Sequence, residues 1–297
     1  MTEKAQRIVY WNREKKCEET EKVYGNDLLL WAYGTKTGNH LLTFLTQPSL
    51  SRMYGWYQSS PLSRHKINRF IQDFSIPMHE FVEEPFQSFN DFFIRHFRPG
   101  MRPFTSKKTE LAAFAEARYL GFDKISEDQT FPVKGIHLNA RELLGNETQA
   151  QPFMGGPLMI ARLCPVDYHR FHFPDDGSIV DHYTVSGLLH SVNPVALKSK
   201  SDILITNERQ VTILQTQNFG KIAYIEVGAM MVGKIIQTHK ENKFQRGDEK
   251  GYFLFGGSTV IVLGEPQKWK PSQDILKNTQ NNRETFIKLG DVVGSST

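Results

Sequence analysis

Between Ser63 and Pro77 the apolar positions fall at Ile67, Phe70, Ile71 and Phe74, the i, i+3, i+4, i+7 spacing of one helix face. Ser63 is the expected N-cap and Pro77 the stop. Arg64, Lys66 and Arg69 lie mostly off that stripe. Phe89, Phe92, Phe93 and Phe97 repeat the pattern, which ends at Pro99-Gly100. Two shorter apolar segments come first: Leu28-Leu29-Leu30-Trp31 behind a capping Asn26, and His40 to Leu45, closed by Gln47-Pro48. The first third of the chain therefore reads as helical. From about residue 110 short apolar runs alternate with turn residues: Leu158 to Leu163, Ser178 to Val185, Asp202 to Thr206, Gln210 to Leu214, Ile222 to Val227, Tyr252 to Phe255 and Thr259 to Leu263. This is the signature of a β-sandwich or barrel. The expected fold class is α+β, with N-terminal amphipathic helices followed by a β-rich, sandwich-like core. The tail from Lys268 is polar, with a short element expected at Glu284 to Leu289.

Composition narrows the class. A chain of 297 residues with 39% hydrophobic and 23% charged positions builds a substantial core, as one large domain or two modest ones. A net charge of +4 does not by itself argue for nucleic acid, and suits an acidic surface such as anionic lipid headgroups. Two cysteines, Cys17 and Cys164, make no disulfide framework and suit a reducing compartment; both are expected as small buried side chains. The charged first 16 residues lack the apolar stretch of a secretory signal, and no run of about 18 apolar residues occurs, so membrane contact is expected to be peripheral. The stripe Ile67 to Phe74 has two readings, a face packed on the protein and a basic amphipathic helix lying on a membrane. Trp31, Phe44, Tyr54, Trp56 and Tyr57 nearby favour the lipid–water boundary.

Two stretches carry candidate chemistry. Gly256-Gly257-Ser258-Thr259 separates two apolar runs and reads either as a hairpin turn or as a cleavage site. A Gly before a Ser leaves the peptide carbonyl unshielded, and the Ser hydroxyl can attack it, breaking the chain between Gly257 and Ser258. The other stretch is Tyr168-His169-Arg170-Phe171-His172-Phe173-Pro174. A metal site built on both histidines lacks accompanying ligands at convincing spacing, and none is expected. A structural pair stays open. A catalytic pair fits best beside Ser258, because a serine nucleophile needs a base. Positions i and i+3 of a regular strand face opposite ways, so one site using both histidines requires an irregularity near Arg170-Phe171.

In order, these stretches resemble the pyruvoyl-dependent phosphatidylserine decarboxylase family. The likeness runs from Phe89-Asn90-Asp91-Phe92-Phe93 and Arg98-Pro99-Gly100-Met101-Arg102-Pro103 through Lys134-Gly135 and Tyr168 to Pro174. It continues with Val192 to Leu197, Asn207-Glu208-Arg209, Val227 to Gly233, Gly247 to Phe253 and the Gly256 to Thr259 motif. The resemblance implies serinolysis: Ser258 Oγ attacks the Gly257 carbonyl to give an ester, and elimination leaves dehydroalanine, which hydrolyses to a pyruvoyl group and ammonia. The products are a β chain, 1–257, and an α chain, 258–297, associated as a heterodimer with further dimerisation as an option. The pyruvoyl carbonyl then forms a Schiff base with phosphatidylserine, and loss of CO₂ gives phosphatidylethanolamine. By the same resemblance His172 is the base for cleavage, oriented by a carboxylate, and His169 serves substrate recognition and decarboxylation. Glu116, in Phe114-Ala115-Glu116-Ala117-Arg118, is the candidate carboxylate, although the family usually has Asp there; Asp123 and Asp167 are the fallbacks. Residues 1–105 become a helical membrane-docking region, with Ile67 to Phe74 and the aromatic segment before it as the docking surface and Arg64, Lys66 and Arg69 on phosphates, and 106–297 the catalytic domain. Arg170 and Lys134 are further phosphate candidates. The expected location is peripheral, on the cytoplasmic face of the cell membrane. Two alternatives are a pyruvoyl decarboxylase of a soluble amino acid derivative and a non-catalytic β-sandwich lipid-binding module.

Overall fold

The serine strand, Ser258–Gly264, is buried at every position. It lies at the centre of a ten-stranded sheet, antiparallel to Leu158–Leu163 on one side and Lys221–Val227 on the other. A strand covered on both faces reads as a continuous apolar run, and Val260-Ile261-Val262-Leu263 is one. The computed structural model describes residues 8–25, 31–35, 37–38, 40, 46, 48–125, 138–199, 202–229, 234–256 and 258–297. The expected elements at 26–30 and 41–45, and the motif residues Lys134-Gly135, Met230 to Gly233 and Gly257, lie outside them.

The large sheet runs Lys243–Phe244, Gly177–Val185, Arg209–Thr216, Lys221–Val227, Ser258–Gly264, Leu158–Leu163, Ala117–Phe122, Glu284–Ile287, Val9–Asn12, Cys17–Thr20. Two three-stranded sheets accompany it. One holds Ile235–Gln237, Glu249–Phe253 and Arg170–His172; the other holds Trp269–Pro271, Val292–Ser296 and Glu110–Ala112. The α+β expectation with a β-rich core is borne out.

Three local expectations need correction. Val9–Asn12 and Cys17–Thr20 form an antiparallel hairpin, so the first third is not wholly helical. Val9–Asn12 runs parallel to Glu284–Ile287, a partner almost the whole chain away that no local pattern reveals. Cys17, on the outer strand of that hairpin, is exposed, whereas Cys164 is buried. Ile203–Thr206 is a helical turn rather than a strand, because Asp202 O accepts the N–H groups of Ile205 and Thr206 and the Thr206 hydroxyl.

The helix Lys66–Phe74 forms where the stripe demands, but Ser63 does not cap it. Ser63 is buried in the preceding turn, and its Oγ accepts Phe89 N–H. Ile67 and Phe70 face inward, joining Phe89, Phe92, Phe93, Tyr168 and Phe255 in a second apolar core. The stripe is therefore internal packing. Among the described residues the most exposed large apolar side chains are Met53 and Trp56, one helical turn apart on Pro48–Gln58, with Leu62 on the next turn; Trp56 is 75% exposed. Among the described residues no helix is long and apolar enough to cross a membrane.

Candidate active site

The Gly-Gly-Ser-Thr stretch is not a hairpin turn. Glu249–Phe253 belongs to a small sheet and Ser258–Gly264 to the large one, so residues 254–256 carry the chain around a corner between sheets. Gly256 takes φ +146°, a conformation that side-chain-bearing residues rarely adopt.

At the end of that corner Ser258 is buried, and its Oγ lies 3.2 Å from His169 Nδ1. The other ring nitrogen, Nε2, lies 2.8 Å from Cys164 O. A carbonyl only accepts, so Nε2 carries the proton. Burial pushes the His169 pKa down to about 3, so the ring is neutral near pH 7 and Nδ1 presents a lone pair to the Ser258 hydroxyl. The Phe93 ring stacks on His169 with centroids 3.9 Å apart.

The loop that delivers His169 is tied to itself. Asp167 Oδ2 accepts Cys164 N–H at 2.7 Å, and Asp167 N–H donates back to Cys164 O at 2.8 Å. Arg118 Nη1 holds the same carboxylate oxygen at 2.6 Å. Burial raises the Asp167 pKa to about 6 against the pull of Arg118. Beside Arg118 on the neighbouring strand, Arg162 grips Glu284 through two bonds, 2.9 and 2.6 Å, and reaches Glu21 at 2.6 Å. Arg162 is also the cross-strand partner of Thr259, so this buried ion network underlies the start of the serine strand.

His172 stands elsewhere. Its Nδ1 donates to Gly247 O at 2.9 Å, and Nε2 faces Tyr168 Oη at 3.5 Å. Burial lowers its pKa too, so the two neutral rings hold opposite tautomers, with lone pairs pointing to different partners. The expected irregularity lies in the facing strand, where a bulge at Lys250 shifts the register opposite Phe171 and His172. It does not bring both histidines to Ser258; among the described residues the Ser258 hydroxyl donates to His169, not to His172. Glu116 orients neither ring. Its carboxylate takes Arg102 Nε at 2.5 Å and Nη2 at 2.9 Å, a bidentate pair that also receives Leu289 N–H. Arg102 is in turn held by Glu80, so Glu116 is spent as the counter-ion of a mostly buried guanidinium. The fallback Asp167 acts on the histidine loop rather than the ring, and Asp123 is exposed. Arg170 is committed to Glu249 and to Ile94 O, which leaves it ill placed for a phosphate. Among the described residues no three His, Cys, Asp or Glu side chains gather as metal ligands.

Sequence reasoning missed the Cys164 carbonyl, which leaves no side-chain signal. It quoted Asn90 and Phe93 as part of a motif without giving them a task.

A buried serine paired with a neutral histidine, at a glycine corner between sheets, defines an enzyme-type site. Comparison with known proteins defines which enzymes. Residues 89–295 match the family model for phosphatidylserine decarboxylase. A phosphatidylserine decarboxylase proenzyme of Clostridium botulinum (strain 657 / Type Ba4) is 40% identical over 292 residues, covering 97% of this chain and 99% of that protein. Proenzymes of the same name from Clostridium tetani (strain Massachusetts / E88; 40% identical, 97% and 98% covered) and Clostridium perfringens (strain SM101 / Type A; 38% identical, 97% and 99% covered) are similar along their whole length. The chain belongs to the phosphatidylserine decarboxylase family, and the expectation of a decarboxylase is borne out.

Proposed function

We propose that this chain is a proenzyme that cuts itself between Gly257 and Ser258 and then decarboxylates phosphatidylserine to phosphatidylethanolamine. The observation that carries the reading is the 3.2 Å approach of a neutral His169 to the hydroxyl of a buried serine behind two glycines. His169 Nδ1 takes the Ser258 proton as Oγ attacks the Gly257 carbonyl carbon, and gives it to the Ser258 nitrogen as the Gly257–Ser258 C–N bond breaks to leave an ester. The Cys164 carbonyl accepts Nε2–H and stabilises the imidazolium that forms, the orienting task a carboxylate performs in a serine-protease triad. The cleavage base in this reading is His169, and His172 stands one position back.

The residues present fit a pyruvoyl group, since Ser258 supplies its carbon skeleton and His169 lies beside it. Once made, that group would supply an electrophilic carbonyl for the substrate amine and a sink for the electron pair left by loss of CO₂. His169 remains beside residue 258 with its Nδ1 lone pair available for a proton, and Phe93 and Phe255 pack around it. The α chain, 258–297, stays in place through the ladders of Ser258–Gly264 and Glu284–Ile287, so a heterodimer is the expected mature form.

A diacyl lipid leaves a bilayer reluctantly, at about 0.8 kcal/mol per buried CH₂, so the enzyme must come to the headgroup. The docking surface in this reading is Met53, Trp56 and Leu62 with the exposed Arg64 and Arg69, on the cytoplasmic face of the cell membrane. Purified protein incubated with phosphatidylserine in mixed micelles should release CO₂ and yield phosphatidylethanolamine. Ser258→Ala should fold, stay uncut and release none; turnover by that variant would refute the reading.

A further inference from the structure

The carboxylate of the segment Phe89-Asn90-Asp91-Phe92-Phe93 is turned to Gln87 N–H at 2.8 Å, yet the segment touches both His169 and Phe255, the residue two before Gly257. Phe93 stacks on His169. Asn90 is buried, and its Oδ1 accepts Phe255 N–H at 2.7 Å. The amide is not free to flip. Its Nδ2 donates to Ser59 Oγ at 2.9 Å and to Gly55 O at 3.3 Å, and a backbone carbonyl accepts hydrogen bonds only. Oδ1 must therefore face Phe255.

The chain entering the corner is tied by three successive N–H groups. Phe253 donates to His169 O at 2.9 Å, Leu254 to Lys234 O at 3.1 Å and Phe255 to Asn90. The first two ties are backbone to backbone, and the last is a side chain. Phe255 is also packed edge-on against Phe89 and Phe93, centroids 5.1 Å away in each case. Beyond Phe255 comes Gly256, with its unusual φ, and Ser258 is already laddered into the large sheet. The described residues on the two sides are thus held differently, Ser258 by the large sheet and Phe255 by Asn90.

We propose that Asn90 is a positioning residue for self-cleavage: it fixes where the carbonyl side of the junction enters, while Phe93 on the same helix holds the base. One helix thereby sets the distance between base and scissile bond. A near-attack geometry is sensitive to displacements of about an ångström, so loosening this tie should slow the attack. The inference rests on the self-cleavage reading above.

Appearance of the 258–297 fragment is followed by mass spectrometry after cell-free synthesis of the full chain. Asn90→Ala is expected to slow it at least tenfold. Asn90→Asp keeps the acceptor for Phe255 N–H but turns its second oxygen toward Gly55 O, so it should cleave more slowly than the unaltered chain and faster than Asn90→Ala. Asn90→Gln moves the amide one methylene away and should be clearly slower than Asn90→Asp. If Asn90→Ala is insoluble, the Asp and Gln variants decide between them. Cleavage of Asn90→Ala at the unaltered rate, or equal slowing by Asp and Gln, would overturn the positioning role. Failure of the unaltered chain to cleave would instead sink the reading beneath it.

Discussion

The two flanks of residue 257 are built from different materials. Downstream, Ser258–Gly264 is bonded by backbone ladders on both sides, and an ion network of Arg118, Arg162, Glu21, Asp167 and Glu284 underlies its start. Upstream, the chain leaves a three-stranded sheet and ends on one side-chain amide and a set of aromatic edges. The difference suits a bond that breaks once. In the proposed cleavage the nucleophile begins a central strand of the large sheet, while the carbonyl side can release without breaking that strand's ladders.

The two histidines sharpen this comparison most. His169 faces the downstream nucleophile; His172 supports Gly247 and Tyr168 upstream. His169→Ala should slow cleavage by about 10²–10⁴, the usual worth of a positioned base. His172→Ala should slow it less; the reverse order would return the base role to His172. The pH profile of cleavage gives an independent reading. A base whose pKa is lowered to about 3 stays deprotonated from pH 5 to 8, so the rate should be flat there. Loss of rate as the pH falls through about 6.5, persisting when Asp167, whose pKa is raised to about 6, is replaced by Asn, would show an unperturbed imidazole instead.

The downstream foundation can be attacked next. Glu284→Ala leaves the buried Arg162 without its bidentate partner, and removing one partner of a buried pair costs about 3–5 kcal/mol. Denaturant unfolding, performed in a Ser258→Ala background so that both proteins stay uncut, should show that loss. A change below about 1 kcal/mol would mean that Glu21 alone satisfies Arg162.

A smaller effect is expected at the outer surface. Replacing Trp56 and Leu62 together with Ala should weaken binding to anionic phosphatidylserine vesicles by about tenfold, as lost apolar burial would produce. Replacing Ile71 and Phe74, whose stripe packs inward, should act through stability instead. Vesicle binding unaffected by the first pair would remove the docking surface from the account.

Much of this architecture is legible in local pattern. The run Leu158 to Leu163 and the core of the serine strand read directly, because buried central strands are continuous apolar runs. The stripe Ile67 to Phe74 also read as a helix, but its direction did not, since a face packed on Phe89 and Phe255 has the same periodicity as one packed on lipid. Val9–Asn12 escaped because its ladder partner is Glu284–Ile287. At the site, Ser258 and the histidine pair were visible as residue types. Which histidine meets the serine was not, because it depends on the loop that Asp167 and Cys164 close through backbone groups. Glu116 looked like an orienting carboxylate, and nothing in its neighbours announced that Arg102 would claim it.

The central claim is that the Ser258 hydroxyl, handed to a neutral imidazole, converts its own residue into a carbonyl. Mass spectrometry of the purified mature protein tests this most directly. The expected result is two polypeptides, 1–257 with a free C-terminal carboxylate and 258–297 with a pyruvoyl group in place of the N-terminal serine. An intact chain that still turns phosphatidylserine into phosphatidylethanolamine would contradict it.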